Sequence, residues 1–292
     1  MATISSKNLA VFLGLLNFKT KVEKSFHNPV RTKKQLVSAK LFKKFDVSEF
    51  KIMEKSVITI QPKTNVSDFH ILFFHGGAYL IEGSAMHWKI VENIASNAHC
   101  RVSYIDYPLA PEHNYRFTFD MVQQSYDKLT NDYPHDRFML MGDSAGGGLA
   151  LAFAQKLVNE NAAILPEKNI LFSPWLDLSM QNPAIRKQEH LDKILPYNGL
   201  VYAGKQYAAD HDVNHFLLSP INGEMMDRIG KTLVFYGTDE LFYPDCLRLK
   251  EKTSGLANFS FREFQGMQHD WVIFPIHEAK EALEMAVEFI NE

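Results

Sequence analysis

The run Phe138-Met139-Leu140-Met141-Gly142-Asp143-Ser144-Ala145-Gly146 constrains this chain more than any other stretch. An apolar segment that reads as a buried strand meets the pattern G-x-S-x-G, and the helix-forming run from Leu149 to Leu157 follows. Strand, tight turn and helix in that order predict a sharp elbow that presents Ser144 at the top of a sheet. Gly142 and Gly146 suit such a turn, because a Cβ there would block close packing of helix on strand. The helix behind Ser144 brings free N–H groups and a positive dipole end, which would stabilise a developing oxyanion. Taken alone, the pattern also fits a plain glycine-rich β–α turn, so other residues must decide.

A second apolar strand, Leu72-Phe73-Phe74, ends in His75-Gly76-Gly77-Ala78. Backbone N–H groups at such a glycine pair can approach a substrate closely. The expected oxyanion donors are Gly77 and Ala78, with Gly76 beside them and Ala145 from the far side of the elbow. Ala78 stands where a third glycine would be usual; it is tolerated as a donor if its φ is negative. His75 is expected to brace the loop rather than move protons.

A nucleophilic serine needs a base, and the base needs an acid to orient it. The strand-like run Leu233 to Gly237 leads into Thr238-Asp239-Glu240-Leu241. An alternating strand at 258–264 then leads into Gly266-Met267-Gln268-His269-Asp270. The order serine, acid, histidine makes His269 the expected base and Asp239 the first choice for the acid, with Glu240 and Asp245 as fallbacks.

These motifs resemble the hormone-sensitive-lipase-like branch of the α/β-hydrolases, family IV of the bacterial lipolytic enzymes. The resemblance rests on His75-Gly76-Gly77-Ala78, Tyr107-Pro108-Leu109-Ala110-Pro111-Glu112-His113, Gly142 to Gly147, Ser173-Pro174-Trp175-Leu176-Asp177, Ser219-Pro220 and Gly266 to His269. It spans the chain from about residue 70 to the end. Two positions depart from that branch: Ala78, and the acid loop, which reads Asp239-Glu240-Leu241-Phe242-Tyr243-Pro244-Asp245 rather than Asp-Pro-Leu-x-Asp. The resemblance implies an N-terminal helical segment over the carboxyl edge of the sheet, and Asp239 as the acid.

The rest of the chain agrees with an α/β fold. Strand-like runs at 56–60, 70–75, 101–106, 137–142, 169–173, 231–236 and 258–264 alternate with helical runs at 85–97, 117–131, 145–159, 245–255 and 276–291. That rhythm predicts an α/β-hydrolase fold: a mostly parallel central sheet, helices on both faces and a helical cap. The cap is expected from residues 1–50, where Val37, Leu41, Phe42 and Phe45 fall at helical spacing, and from an insertion at about 179–214. The catalytic domain would then run from 51 to 292. The apolar stretch Leu9 to Leu16 is too short to span a bilayer and lacks a small-x-small cleavage site, so it reads as a cap helix and predicts a cytoplasmic protein.

Apolar residues make up 46% of the 292, enough for a large core. With 31 basic and 34 acidic residues the formal net charge is −3, which supports neither a nucleic-acid nor a membrane partner; a homodimer stays open. Cys100 and Cys246 read as buried thiols. His211-Asp212-Val213-Asn214-His215 only imitates a metal motif, since Asp212 replaces the glutamate and no third ligand is evident. Glu112 is expected to hold the oxyanion loop by hydrogen bonds. Tyr79, Trp88, Phe18, Trp175 and Tyr202 are candidates for a substrate pocket, with core packing as the alternative.

The expected activity is that of a serine carboxylesterase acting on short- to medium-chain acyl esters through an acyl-enzyme, with no metal or organic cofactor. An amide-directed hydrolase such as an arylformamidase or deacetylase is the alternative. A non-catalytic ligand-binding protein on the same scaffold is a third reading, against which His269 speaks.

Overall fold

The parallel strands, apart from an alternating one at the edge of the sheet, are largely buried on both faces, as α/β sheets require. In the computed structural model, which describes residues 4–32 and 41–292, they are β3 (Phe69–Phe74), β4 (Arg101–Ile105), β5 (Arg137–Asp143), β6 (Lys168–Phe172), β7 (Lys231–Gly237) and β8 (Phe259–Phe264). Two further strands, β1 (Phe45–Ile52) and β2 (Lys55–Pro62), complete one eight-stranded sheet in the order β1-β2-β4-β3-β5-β6-β7-β8. Only the β1–β2 and β2–β4 pairs are antiparallel. Side chains alternate along each strand. Leu72 and Phe74 therefore enter one buried cluster while Ile71 and Phe73 enter the other, on the opposite face.

The helices are α1 (Ile4–Leu15), α2 (Phe18–His27), α3 (Leu41–Lys44), α4 (Ala85–Asn97), α5 (Tyr115–Asp132), α6 (Ala145–Asn159), α7 (Pro183–Gln188), α8 (Tyr197–Ala208), α9 (Tyr243–Lys252) and α10 (His277–Asn291). Every strand and helix read from the alternating pattern is present within a few residues. The exception lies before residue 51. Leu41 starts a single helical turn, but Phe45 opens β1, so the N-terminal helical part stops short of residue 50. Val37 lies outside the described residues. The hairpin that joins β1 to β2 turns at Met53 and Glu54, both at positive φ (50° and 61°). That is the twist a two-residue hairpin needs, made without the usual Asn-Gly signature, so the strand was hidden.

The second helix rests on the 179–214 insertion, and the first packs on the second and on α10. Phe26 of α2 is buried against Gly199 of α8, and the His27 and Tyr202 rings lie 4.2 Å apart. Lys19 Nζ donates to the Glu189 carbonyl at 2.6 Å. Arg31 then ties the same segment to the loops after β3 and β4. Its guanidinium donates to the carbonyls of Leu80 and Ala110 and pairs with Glu112. Both cysteines are free and buried. Among the described residues no helix is long and apolar enough to cross a membrane.

Candidate active site

The parallel register brings Phe74, Gly142 and Leu171 level, and Phe172 level with Phe235. The loops after β3, β5, β6, β7 and β8 therefore leave one carboxyl edge together. Ser144 forms the elbow between β5 and α6 at φ 52°, ψ −120°, a conformation costly for any residue with a Cβ. Its neighbours explain how the turn closes. A Cβ on Gly146 would lie 2.0 Å from the Phe74 carbonyl oxygen, and one on Gly142 would lie 2.4 Å from Gly146 backbone.

His269 Nε2 lies 2.8 Å from Ser144 Oγ. On the other side of the ring, Nδ1 lies 3.1 Å from Glu240 Oε2, not from Asp239. The first choice for the acid is thus one residue out of register. Asp239 N donates to the Met267 carbonyl at 3.1 Å, and its carboxylate accepts from Thr238 Oγ1 in a half-buried position. Glu240 is fully buried, and its Oε1 accepts from Gly237 N at 3.0 Å. The loop turns tightly enough that the next, longer side chain reaches under the imidazole. Asp245 is also out of reach, in α9, where its Oδ1 accepts from Asn182 at 2.7 Å. Burial pushes Glu240 up, against the pull of its hydrogen bond to His269.

Of the amides expected to face an oxyanion, one is turned to a protein acceptor. Gly76 N donates to Asp143 Oδ2 at 2.9 Å, so its amide is committed within the protein rather than to a substrate. Gly77 and Ala78 N–H have no partner among the described residues, and Ala145, the first residue of α6, has no helical acceptor four residues back. The expected negative φ at Ala78 is not found. Gly77, Ala78 and Tyr79 run at 110°, 53° and 59°, three successive left-handed residues.

A layer behind the loop holds it. Tyr107 OH donates to the His75 carbonyl at 2.5 Å, and its ring stacks on His75 at 4.4 Å. His75 Nδ1 faces the Gly76 carbonyl at 2.6 Å, which can only accept, so that nitrogen carries the proton. Burial, then the charge of His87, lowers His75 to about 3, so it stays neutral as a brace. Asp143 also meets His87 Nε2 at 3.1 Å. Burial opposes charge on His87, but the charge and hydrogen bond of Asp143 outweigh it and raise its pKa from the ordinary histidine value. Glu112 pairs with Arg31, which in turn donates to the Leu80 carbonyl after the loop.

Aromatic rings continue from His269 into the core. Phe242 meets the His269 ring edge-on at 5.0 Å, Trp175 stacks on Phe242 at 5.8 Å, Tyr79 on Trp175 at 5.9 Å and Tyr207 of α8 on Tyr79 at 3.8 Å. Trp88 belongs to the other face of the sheet, against Tyr104. Phe18 and Tyr202 are partly buried where α2 meets α8.

Residues that the motifs did not single out are Asp143, His87, Asp192 and Asp270. Only Asp143 left a sequence signal, as the acid next to the serine. Asp212 caps its own turn by accepting from Asn214 N at 3.0 Å, and among the described residues no group of three or more His, Cys, Asp or Glu could hold a metal.

At the opposite edge of the sheet the same residue types meet again. Ser103 Oγ lies 2.8 Å from His70 Nε2, and His70 Nδ1 lies 3.1 Å from Asp136. Ser103 and His70 are fully buried, and Ser103 also shares a hydrogen bond with Thr59 at 2.6 Å. It is a polar network inside the sheet in which the serine hydroxyl and both imidazole nitrogens have partners.

A family model described as alpha/beta hydrolase fold matches residues 71–273. An esterase of Acinetobacter venetianus is 32% identical over 227 residues, covering 76% of this chain and 73% of the relative. An acetyl-hydrolase of Streptomyces hygroscopicus is 26% identical over 225 residues, covering 76% and 75%. Among solved structures, an esterase from the bacterial hormone-sensitive lipase family superposes with a TM-score of 0.82 over 99% of this chain and 98% of its own, at 21% identity.

Proposed function

The chain belongs to the α/β-hydrolase family, and from that premise we propose that it is a serine carboxylesterase with Ser144 as nucleophile, His269 as base and Glu240 as the orienting acid. The observation that carries this reading is the relay Ser144–His269–Glu240, closed at 2.8 and 3.1 Å. Glu240 fixes the tautomer with the proton on Nδ1 and stabilises the imidazolium that forms. Ser144 Oγ attacks the ester carbonyl carbon while its proton moves to Nε2. The amides of Gly77, Ala78 and Ala145 receive the oxyanion. Nε2 then protonates the departing alkoxide and the alcohol leaves. Water, deprotonated by the same nitrogen, releases the acid from the acyl-enzyme.

We read α1, α2 and the 179–214 insertion as a cap held in place, which favours short acyl chains. Its hold on the catalytic loops supports this: Lys193 N donates to Gln268 Oε1 at 2.6 Å, and Gln188 Nε2 to the Thr238 carbonyl at 2.7 Å. A serine-directed organophosphonate tests the nucleophile. One mass equivalent should add at Ser144, none should add to Ser144→Ala, and turnover of a nitrophenyl ester should drop by about 10⁴ or more in that variant. Undiminished turnover by a folded Ser144→Ala protein would end the proposal. A parallel assay on acyl-amides separates ester from amide preference.

A further inference from the structure

The nitrogen that faces the nucleophile has a second acceptor. Asp270 follows His269 directly and sits in the left-handed region at φ 52°, ψ 35°. That conformation folds its carboxylate back onto its neighbour's ring, with Oδ2 3.4 Å from His269 Nε2. Ser144 Oγ lies 2.8 Å from the same nitrogen. Asp270 N donates to Ser173 Oγ at 3.3 Å, and Ile273 N to the Asp270 carbonyl at 3.1 Å, so the turn is held at both ends. The carboxylate is buried, and its Oδ1 has no partner among the described residues.

We propose that Asp270 is a positioning residue that competes with Ser144 for His269 Nε2 and thereby sets the pH range in which the serine reacts. The inference rests on the Ser144–His269 reading above. Neutral His269 keeps its proton on Nδ1 toward Glu240 and offers the Nε2 lone pair to Ser144. Once Nε2 is protonated, its N–H meets the Asp270 carboxylate as an ion pair, and Ser144 has no base.

The groups that face this pair are Glu240 from the loop after β7, Asp143 from the end of β5 and His87 from α4. Burial works against the imidazolium. The charge and hydrogen bond of Asp270, followed by those of Glu240, outweigh it and hold His269 well above the ordinary histidine range. Burial pushes Asp270 up in its turn, with His269 pulling it down and Asp143 adding to the rise. The active form is the neutral imidazole, so activity rises with pH on a limb displaced toward alkaline pH.

The test is the pH profile of kcat/KM on a nitrophenyl ester for the wild type and Asp270→Asn. Asparagine accepts φ 52° better than most residues, so the turn is kept while the charge is lost. The acidic limb should move down by about one pH unit or more. Coincident limbs overturn the proposal. If Asp270→Asn does not turn over, the low-field Nδ1 proton resonance of His269 is titrated without substrate in both proteins. A lower midpoint in Asp270→Asn supports the proposal, and an unchanged midpoint overturns it. Turnover surviving in Ser144→Ala is a different outcome, which removes the nucleophile and leaves the titration result standing.

Discussion

Leu241 N donates to Asp192 Oδ2 at 2.7 Å, so the residue directly after Glu240 is held by a carboxylate from the 179–214 insertion. The other oxygen of Asp192 accepts from Ile194 N and Leu195 N at 2.7 and 2.9 Å. One buried side chain therefore binds three amides and joins the 179–214 insertion to the loop after β7. Asp192→Ala should leave those amides unsatisfied, at about 1–3 kcal/mol of stability, and loosen both segments. Thermal unfolding should show the loss. Kinetics should show a flatter dependence of kcat/KM on acyl length; a variant with wild-type selectivity would break the link between Asp192 and the roof.

The acid of the relay is tested by ranking two neutral variants. Glu240→Gln removes the charge under His269 and should cost about 10³–10⁴ in kcat, as loss of the orienting carboxylate does in other triads. Asp239→Asn alters a carboxylate whose hydrogen bond among the described residues is to Thr238, and should stay within about threefold of wild type. The reverse ranking would restore Asp239.

That one-residue difference shows where sequence reading stops. Asp239 and Glu240 are chemically alike and adjacent, so only the path of the backbone after Gly237 selects between them. The strands were legible because apolar runs are long, and the elbow because Gly142 and Gly146 answer a steric demand visible in the sequence. Strand β1 was not, because Asp46, Ser48 and Glu49 dilute its pattern and its turn uses Met53 and Glu54. Gly76 was read as a donor because a glycine beside an oxyanion loop looks the same whether its amide faces substrate or Asp143.

Gly146→Ala should be among the most damaging single-methyl changes in the chain. The new Cβ would meet backbone of Phe74 and His75, neither of which can swing aside. A loss of about 3 kcal/mol or more is expected, read by denaturant unfolding. Activity should fall with it, since those residues lead into the oxyanion loop.

Asp245 gives a pH signature of its own. Burial raises it to about 6, against the pull of the Asn182 hydrogen bond. The folded value lies above the unfolded one, so its contribution to stability is full below about pH 4 and is lost as pH rises through 6. Asp245→Asn mimics the protonated form and keeps an oxygen for Asn182. It should stabilise the protein by about 1–3 kcal/mol at pH 8 and by nothing measurable at pH 4. Equal effects at both pH values would refute the assignment.

Acyl chain length should give a rising and then falling series. Each methylene adds about 0.8 kcal/mol while there is pocket to receive it. The best kcat/KM is expected between acetyl and about hexanoyl esters, with no increase in rate as substrate passes its solubility limit. Efficient hydrolysis of emulsified long-chain triglycerides would show that α8 and the N-terminal helices move aside.

Ser103, His70 and Asp136 carry a consequence for anyone who recognises enzymes by shape. A search template made of three side chains and two distances would find this protein twice, once at each end of its sheet. The one at Ser144 has its serine on a turn at positive φ, with the Gly77 and Ala78 amides nearby lacking a partner among the described residues. Reactivity in this fold is thus written in what surrounds the three residues, and a fair template must include groups left deliberately unpaired.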